Sequence, residues 1–133
     1  MSVKQSPGGS IFPYYYKGGE LFGLHLGSFG ADEDGVISRM KAEQVFFLEQ
    51  NHSIGLWMDF YQTRLTDRVI GELIEMLEHI HHRMLKLGLV GCSFMERWRI
   101  NRLIKKTKSL SKLPVRYFDD PEDAKTWLVS ELE

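Results

Sequence analysis

Two threonine hydroxyls, two acids and two arginines crowd the stretch Asp59-Phe60-Tyr61-Gln62-Thr63-Arg64-Leu65-Thr66-Asp67-Arg68. A threonine just before a helix is an N-cap, its oxygen accepting from a first-turn amide, worth about 0.5–2 kcal/mol. The same hydroxyl could carry a phosphate, which a helix N-terminus accommodates, although Asp67 beside it opposes a second negative charge. Thr66 is therefore the first candidate for modification or partner contact, and Thr63 the second. Asp59, Asp67 and Arg68 complete that candidate surface.

Three further groups compete. Arg97, Arg99, Arg102, Lys105, Lys106, Lys108 and Lys112 stand against Glu96 alone between Phe94 and Lys112. Such a run reads either as a solvated helix face or as a docking patch for an acidic protein, with anionic lipid or nucleic acid behind it. No nucleic-acid motif accompanies it. His79, His81 and His82 crowd a helix end; His79 and His82 share a face, but no Cys or Glu partner completes a metal set. Cys92 precedes a helix start, which favours a thiolate, but a lone cysteine ending an apolar strand is more often buried. There is no glycine-rich phosphate loop and no G-x-S-x-G. The residues give no catalytic constellation, and neither cofactor nor metal is expected.

The elements that must position these groups are legible around them. Ile54, Leu56, Met58 and Phe60 alternate with Gly55, Trp57 and Asp59, the period of a strand with one well-buried face. Val69, Ile70, Leu73, Ile74, Leu77 and Ile80 then fall at helical spacing, capped by Thr66, with Leu65 and Ile70 placed for a hydrophobic staple. Lys86 to Cys92 reads as the next strand. Strand, helix and strand together make a parallel crossover.

Before this unit, Met1 to Gly9 reads as a loose tail. Ile11 to Tyr16 and Glu20 to Leu26 read as a hairpin turning at Gly18-Gly19, and an acid-started helix from Asp32 stops near Asn51. After it, Ser93 and Glu96 form a capping box for a helix expected to pack through Phe94, Trp98, Leu103 and Ile104. Leu113 to Phe118 is a strand. Asp120-Pro121-Glu122-Asp123 opens a last helix, packing through Ala124, Trp127, Leu128 and Leu132. The order is β-β-α-β-α-β-α-β-α: an α/β fold in one domain over residues 10–133, with a mostly parallel, mixed sheet of about five strands. Most of these strands alternate, whereas parallel strands covered on both faces run continuously apolar. The helices are therefore expected mainly on one face, leaving the Trp57 and His25 face thinly covered.

With 133 residues, 43% hydrophobic and 26% charged, the chain is long enough for a core without staples. A net charge of -1 argues against bulk attraction to nucleic acid or membrane, and one cysteine excludes an intrachain disulfide. No apolar run approaches the roughly eighteen residues of a membrane span, so a cytoplasmic protein is expected.

The order of elements over Glu20 to Leu132 resembles the STAS domain (sulphate transporter and anti-sigma factor antagonist), above all its stand-alone anti-sigma-factor-antagonist-like members. The LWMDF strand, the TDRVIGELIEML helix start and the closing FDDPEDAKTWL carry the likeness. The resemblance implies a small bacterial regulatory module, without cofactor or enzymatic activity, that binds a protein partner such as an anti-sigma kinase. It matches Asp59 to the family's strand aspartate and sets Thr66 near the hydroxyl that the kinase phosphorylates. Leu65 replaces the family's acid before that hydroxyl, and Asp67-Arg68 replaces its glycine, which points to binding without the switch. The other class of function is a carrier or sensor of a small apolar or lipid-like ligand on the sheet face bearing Trp57, His25 and Tyr14-Tyr15-Tyr16. An uncovered Trp57 would equally invite a homodimer.

Overall fold

Alternating strands sort their side chains to two sides of a sheet, and the helices follow that sorting. The computed structural model describes residues 3–130. Its strands are β1 (Lys4–Gln5), β2 (Ile11–Phe12), β3 (Tyr14–Tyr16), β4 (Gly19–His25), β5 (Ile54–Asp59), β6 (Met84–Val90) and β7 (Val115–Phe118). Its helices are α1 (Glu33–Glu49), α2 (Asp67–Ile80), α3 (Phe94–Lys106) and α4 (Pro121–Leu128). The main sheet has the order β3-β4-β5-β6-β7, with β3 antiparallel to β4 and the other pairs parallel. The architecture is α/β with a mixed, mostly parallel five-stranded sheet, as the element order predicts.

Each parallel strand is laid beside its predecessor, so successive crossovers of one hand send their helices to the same face. Phe22, Leu24, Leu56, Met58, Leu87 and Leu89 form that face, buried with Val36, Met40 and Phe47 of α1, Leu73 and Leu77 of α2, and Ile100 and Ile104 of α3. Leu65 and Ile70 enter the same core, as the staple requires.

The opposite face corrects an expectation. It is not thinly covered: α4 crosses to it and seals Leu21, Trp57 and Val90 under Ala124 and Leu128. Trp57 is only 5% exposed. Small residues make the close approach fit. A Cβ on Gly23 would collide with the Trp57 ring, and one on Gly88 would lie 3.3 Å from the Ala124 Cβ. Lys86, buried on the same side, fastens the end of α4: its Nζ donates to Trp127 O at 2.7 Å and Ser130 O at 2.9 Å. Burial, then the nearby Arg116, lowers its pKa.

The N-terminal segment also departs from the loose tail expected over residues 1–9. From residue 3 it has a defined path, Lys4–Gln5 pairing with Ile11–Phe12. Its anchor is Glu43 of α1, wholly buried, which accepts from Ser6 Oγ at 2.8 Å and Gly8 N at 2.7 Å. The strand expected over Ile11–Tyr16 is broken at Pro13, which has no amide to donate. Leu132, expected to pack with the last helix, lies outside the described residues.

Candidate partner-binding site

The loops at the carboxyl ends of β4 and β5 meet beside the starts of α1, α2 and α3, and the structure divides the sequence candidates there into two sets. Asp59 and Thr63 face the loops themselves. Asp59 Oδ1 accepts from Tyr61 N at 3.0 Å, holding the turn after β5. Thr63 is buried; its Oγ1 donates to Leu26 O at 2.7 Å and accepts from Phe29 N at 3.1 Å, stapling the β5 loop to the β4 loop. Thr63 is therefore not an exposed hydroxyl: its Oγ1 is bonded to backbone on both sides.

Thr66, Asp67 and Arg68 form the second set, and they do come together. Thr66 caps α2, its Oγ1 accepting from Val69 N at 3.3 Å while donating to the Glu33 carboxylate of α1. Arg68 bridges Glu33 at 3.3 Å and Asp34 at 2.7 Å. The hydrogen bond from Thr66, then that from Arg68, holds the Glu33 carboxyl below its usual pKa. Asp67 pairs with Arg99 of α3 at 2.9 Å, and Arg99 also donates to Leu65 O at 3.2 Å. The capping box reaches the same place: Glu96 accepts from Ser93 N with one oxygen and from Leu65 N with the other, both at 2.8 Å. The starts of three helices are thus laced by one network through the start of α2. A phosphate on Thr66 would forfeit the bond to Glu33 and face the carboxylates of Glu33, Asp34 and Asp67.

The basic set also divides. Arg97 turns to the end of β7, pairing with Asp119 at 2.9 Å, and Arg99 belongs to the network just described. Arg102, Lys105 and Lys106 are exposed and without a salt-bridge partner among the described residues. Arg102 lies over the Trp98 ring at 5.5 Å.

The packing expected of α3 is corrected here. Its inner face is Ile100 and Ile104, whereas Phe94 is 80%, Met95 60% and Trp98 52% exposed. Of the expected residues Ile104 is buried, and Phe94 and Trp98 cannot share the face it forms with Ile100. Beside this surface a groove of about 370 Å³ runs between α2 and α3, lined by Asp67, Ile70, Trp98, Arg99, Arg102, Leu103 and Lys106.

The other sites carry less. Burial pushes the Cys92 thiol up to about 12, opposite to what a nucleophile needs. His79 ends α2, whereas His81 and His82 sit in the following 3₁₀ turn. Among the described residues no three His, Cys, Asp or Glu are grouped to hold a metal ion. An open hollow of about 600 Å³ lies beyond the parallel strands between Arg64 and Asp119, where α/β sheets often bind ligands. Here Ser93 and Glu96 cap α3 and tie it to Leu65. On the α4 face a cleft of about 190 Å³ lies beside Trp57 and His25, below the roughly 300 Å³ at which ligand pockets begin. No helix among the described residues is long and apolar enough to cross a membrane. No family model matches the chain, and neither does any curated protein or solved structure.

Proposed function

We propose that the chain is a non-enzymatic regulatory binding module of the anti-sigma-factor-antagonist-like kind, docking a protein partner through the start of α2 and the outer face of α3. It works without a phosphate switch, in the bacterial cytoplasm. The observation that carries this reading is α3: Phe94, Met95 and Trp98 stand in water on a helix whose outward charges are basic. Exposed apolar area forfeits roughly 25 cal/mol per Å², and contiguous large side chains left in that state mark contact surfaces. The same surface adjoins Asp67 and Arg99, so a partner seated there touches the laced start of α2. The burial of Thr63 and the saturation of Thr66 by Glu33 and Val69 support binding in place of phosphorylation.

Anti-sigma-factor-type kinases of the source organism, titrated into the purified chain with and without ATP, test the reading. At least one is expected to bind, with no phosphate on Thr66 or Thr63 by mass spectrometry. The double variant Trp98→Ala/Arg102→Glu should weaken that binding by about tenfold or more, a loss of roughly 1.4 kcal/mol. Absence of binding to every such kinase overturns the partner class, and a phosphate on Thr66 overturns the switch-free form.

A further inference from the structure

The groove between α2 and α3 says more about its occupant than that one exists. Its floor is Ile70, buried in the core, and its walls are Trp98 and Leu103. Arg102 and Lys106 stand along the rim without acidic partners, and the one acid there, Asp67, is already paired with Arg99. The site therefore offers an apolar seat in a cationic frame. The stripe Phe94, Trp98 and Arg102 repeats at one-turn spacing along the exposed side of α3.

We propose that this groove seats a short acidic amphipathic helix of the protein partner, with an apolar side chain over Ile70 between Trp98 and Leu103 and carboxylates on Arg102 and Lys106. This deepens the reading given above and rests on it. Four physical points select that occupant. A concave seat between two helices rewards an inserted side chain, as in helix-in-groove complexes, whereas a bilayer would take up the protruding Phe94 and Trp98 and leave the seat over Ile70 unfilled. Nucleic acid would satisfy the cations and stack a base on Trp98, but would leave Leu103 and the seat over Ile70 without an aliphatic partner. The 13 residues of α3 span about 20 Å, the length of several turns of a facing helix. Charge complementarity fixes the sign: an uncharged or basic helix would leave the rim cations desolvated and unpaired.

The test uses the whole chain and a labelled helical peptide of about sixteen residues, some four turns, with leucines on one face and glutamates on the other. A second peptide has the same composition in an order that destroys the apolar stripe, and a third replaces every glutamate by glutamine. By fluorescence anisotropy the first is expected to bind at least about tenfold more tightly than either control. Trp98→Ala should remove about tenfold of that affinity, Arg102→Glu/Lys106→Glu nearly all of it, and Lys4→Glu none. Thermal unfolding of each variant checks that the fold is intact. Equal binding of the reordered peptide overturns the groove in favour of charge alone. Tighter binding of phosphatidylserine vesicles or a DNA duplex through the same residues overturns the protein occupant. Self-association abolished by Trp98→Ala replaces it with a second copy, whose acidic start of α4 would serve as the ligand. If the kinases bind through Trp98 and the peptide does not, the groove inference alone fails. If the peptide binds and no kinase does, only the partner class falls.

Discussion

Thr63 and Glu43 show how one polar side chain can decide the path of a loop. The Thr63 hydroxyl is buried with both its bonds made to backbone, so removing it leaves Leu26 O and Phe29 N without that partner. Thr63→Val is expected to cost about 1–3 kcal/mol, read as a lower denaturant midpoint at unchanged slope; an unchanged midpoint would show that the β4 and β5 loops need no staple. Glu43 acts in the opposite sense. Its carboxyl is raised above its ordinary pKa, first by burial, against the hydrogen bonds of Ser6 and Gly8 that favour the anion. Oε2 has no partner. A group whose folded pKa exceeds its unfolded one contributes its full stability below the unfolded value, and loses it as pH rises through the folded value. As pH rises above the ordinary glutamate range, wild type should therefore lose stability relative to Glu43→Gln, which keeps an acceptor for Ser6 and Gly8 and cannot ionise. Parallel denaturation profiles of the two across that rise would contradict this.

Gly23 on β4 and Trp57 on β5 share one space on the sheet face that α4 covers. The indole lies over the backbone at Gly23 in the register that pairs the two residues. Gly23→Ala should thus cost about 1–3 kcal/mol by overpacking, and pairing it with Trp57→Leu should cost less than the two changes summed, because they share one space. A sum recovered in full would mean that the ring moves aside freely. Strand alternation and helix starts were legible because their causes are local: Thr66 before the α2 stripe, Ser93 three residues before Glu96, Asp120 before Pro121. The inner face of α3 was legible only in part, through Ile104. Phe94 with Trp98 and Ile100 with Ile104 are two apolar pairs of equal spacing, and only the sheet beneath decides which is buried. The N-terminal hairpin was hidden for a related reason. Strands of two residues carry no period, and Glu43, which anchors them, lies 35 and 37 residues away. At the candidate site, the capping role of Thr66 was readable, whereas the inward turn of Thr63 depends on the neighbouring strand's loop.

The charges of the molecule nearly cancel, at -1 overall, but they are not mixed evenly. Acids gather at the starts of α1 and α4, and the ion pairs Arg68–Asp34, Arg99–Asp67 and Arg97–Asp119 consume the basic residues nearest them. Arg102, Lys105 and Lys106, without a salt-bridge partner among the described residues, point outward together from α3. With so little net charge, attraction to an acidic partner acts only at short range, through this patch. Screening shortens from about 10 Å at 0.1 M salt to about 3 Å at 1 M, so added salt should slow association. Once the partner is seated, contacts in the apolar groove are screened far less, and the dissociation rate should change little. Trp98→Ala should do the reverse, speeding dissociation at nearly constant association, since steering and seating reside on different side chains. Stopped-flow binding of the acidic peptide at a series of salt concentrations separates the two rates. Salt and Trp98→Ala acting on the same rate would mean that the patch and the groove are not two parts of one docking surface.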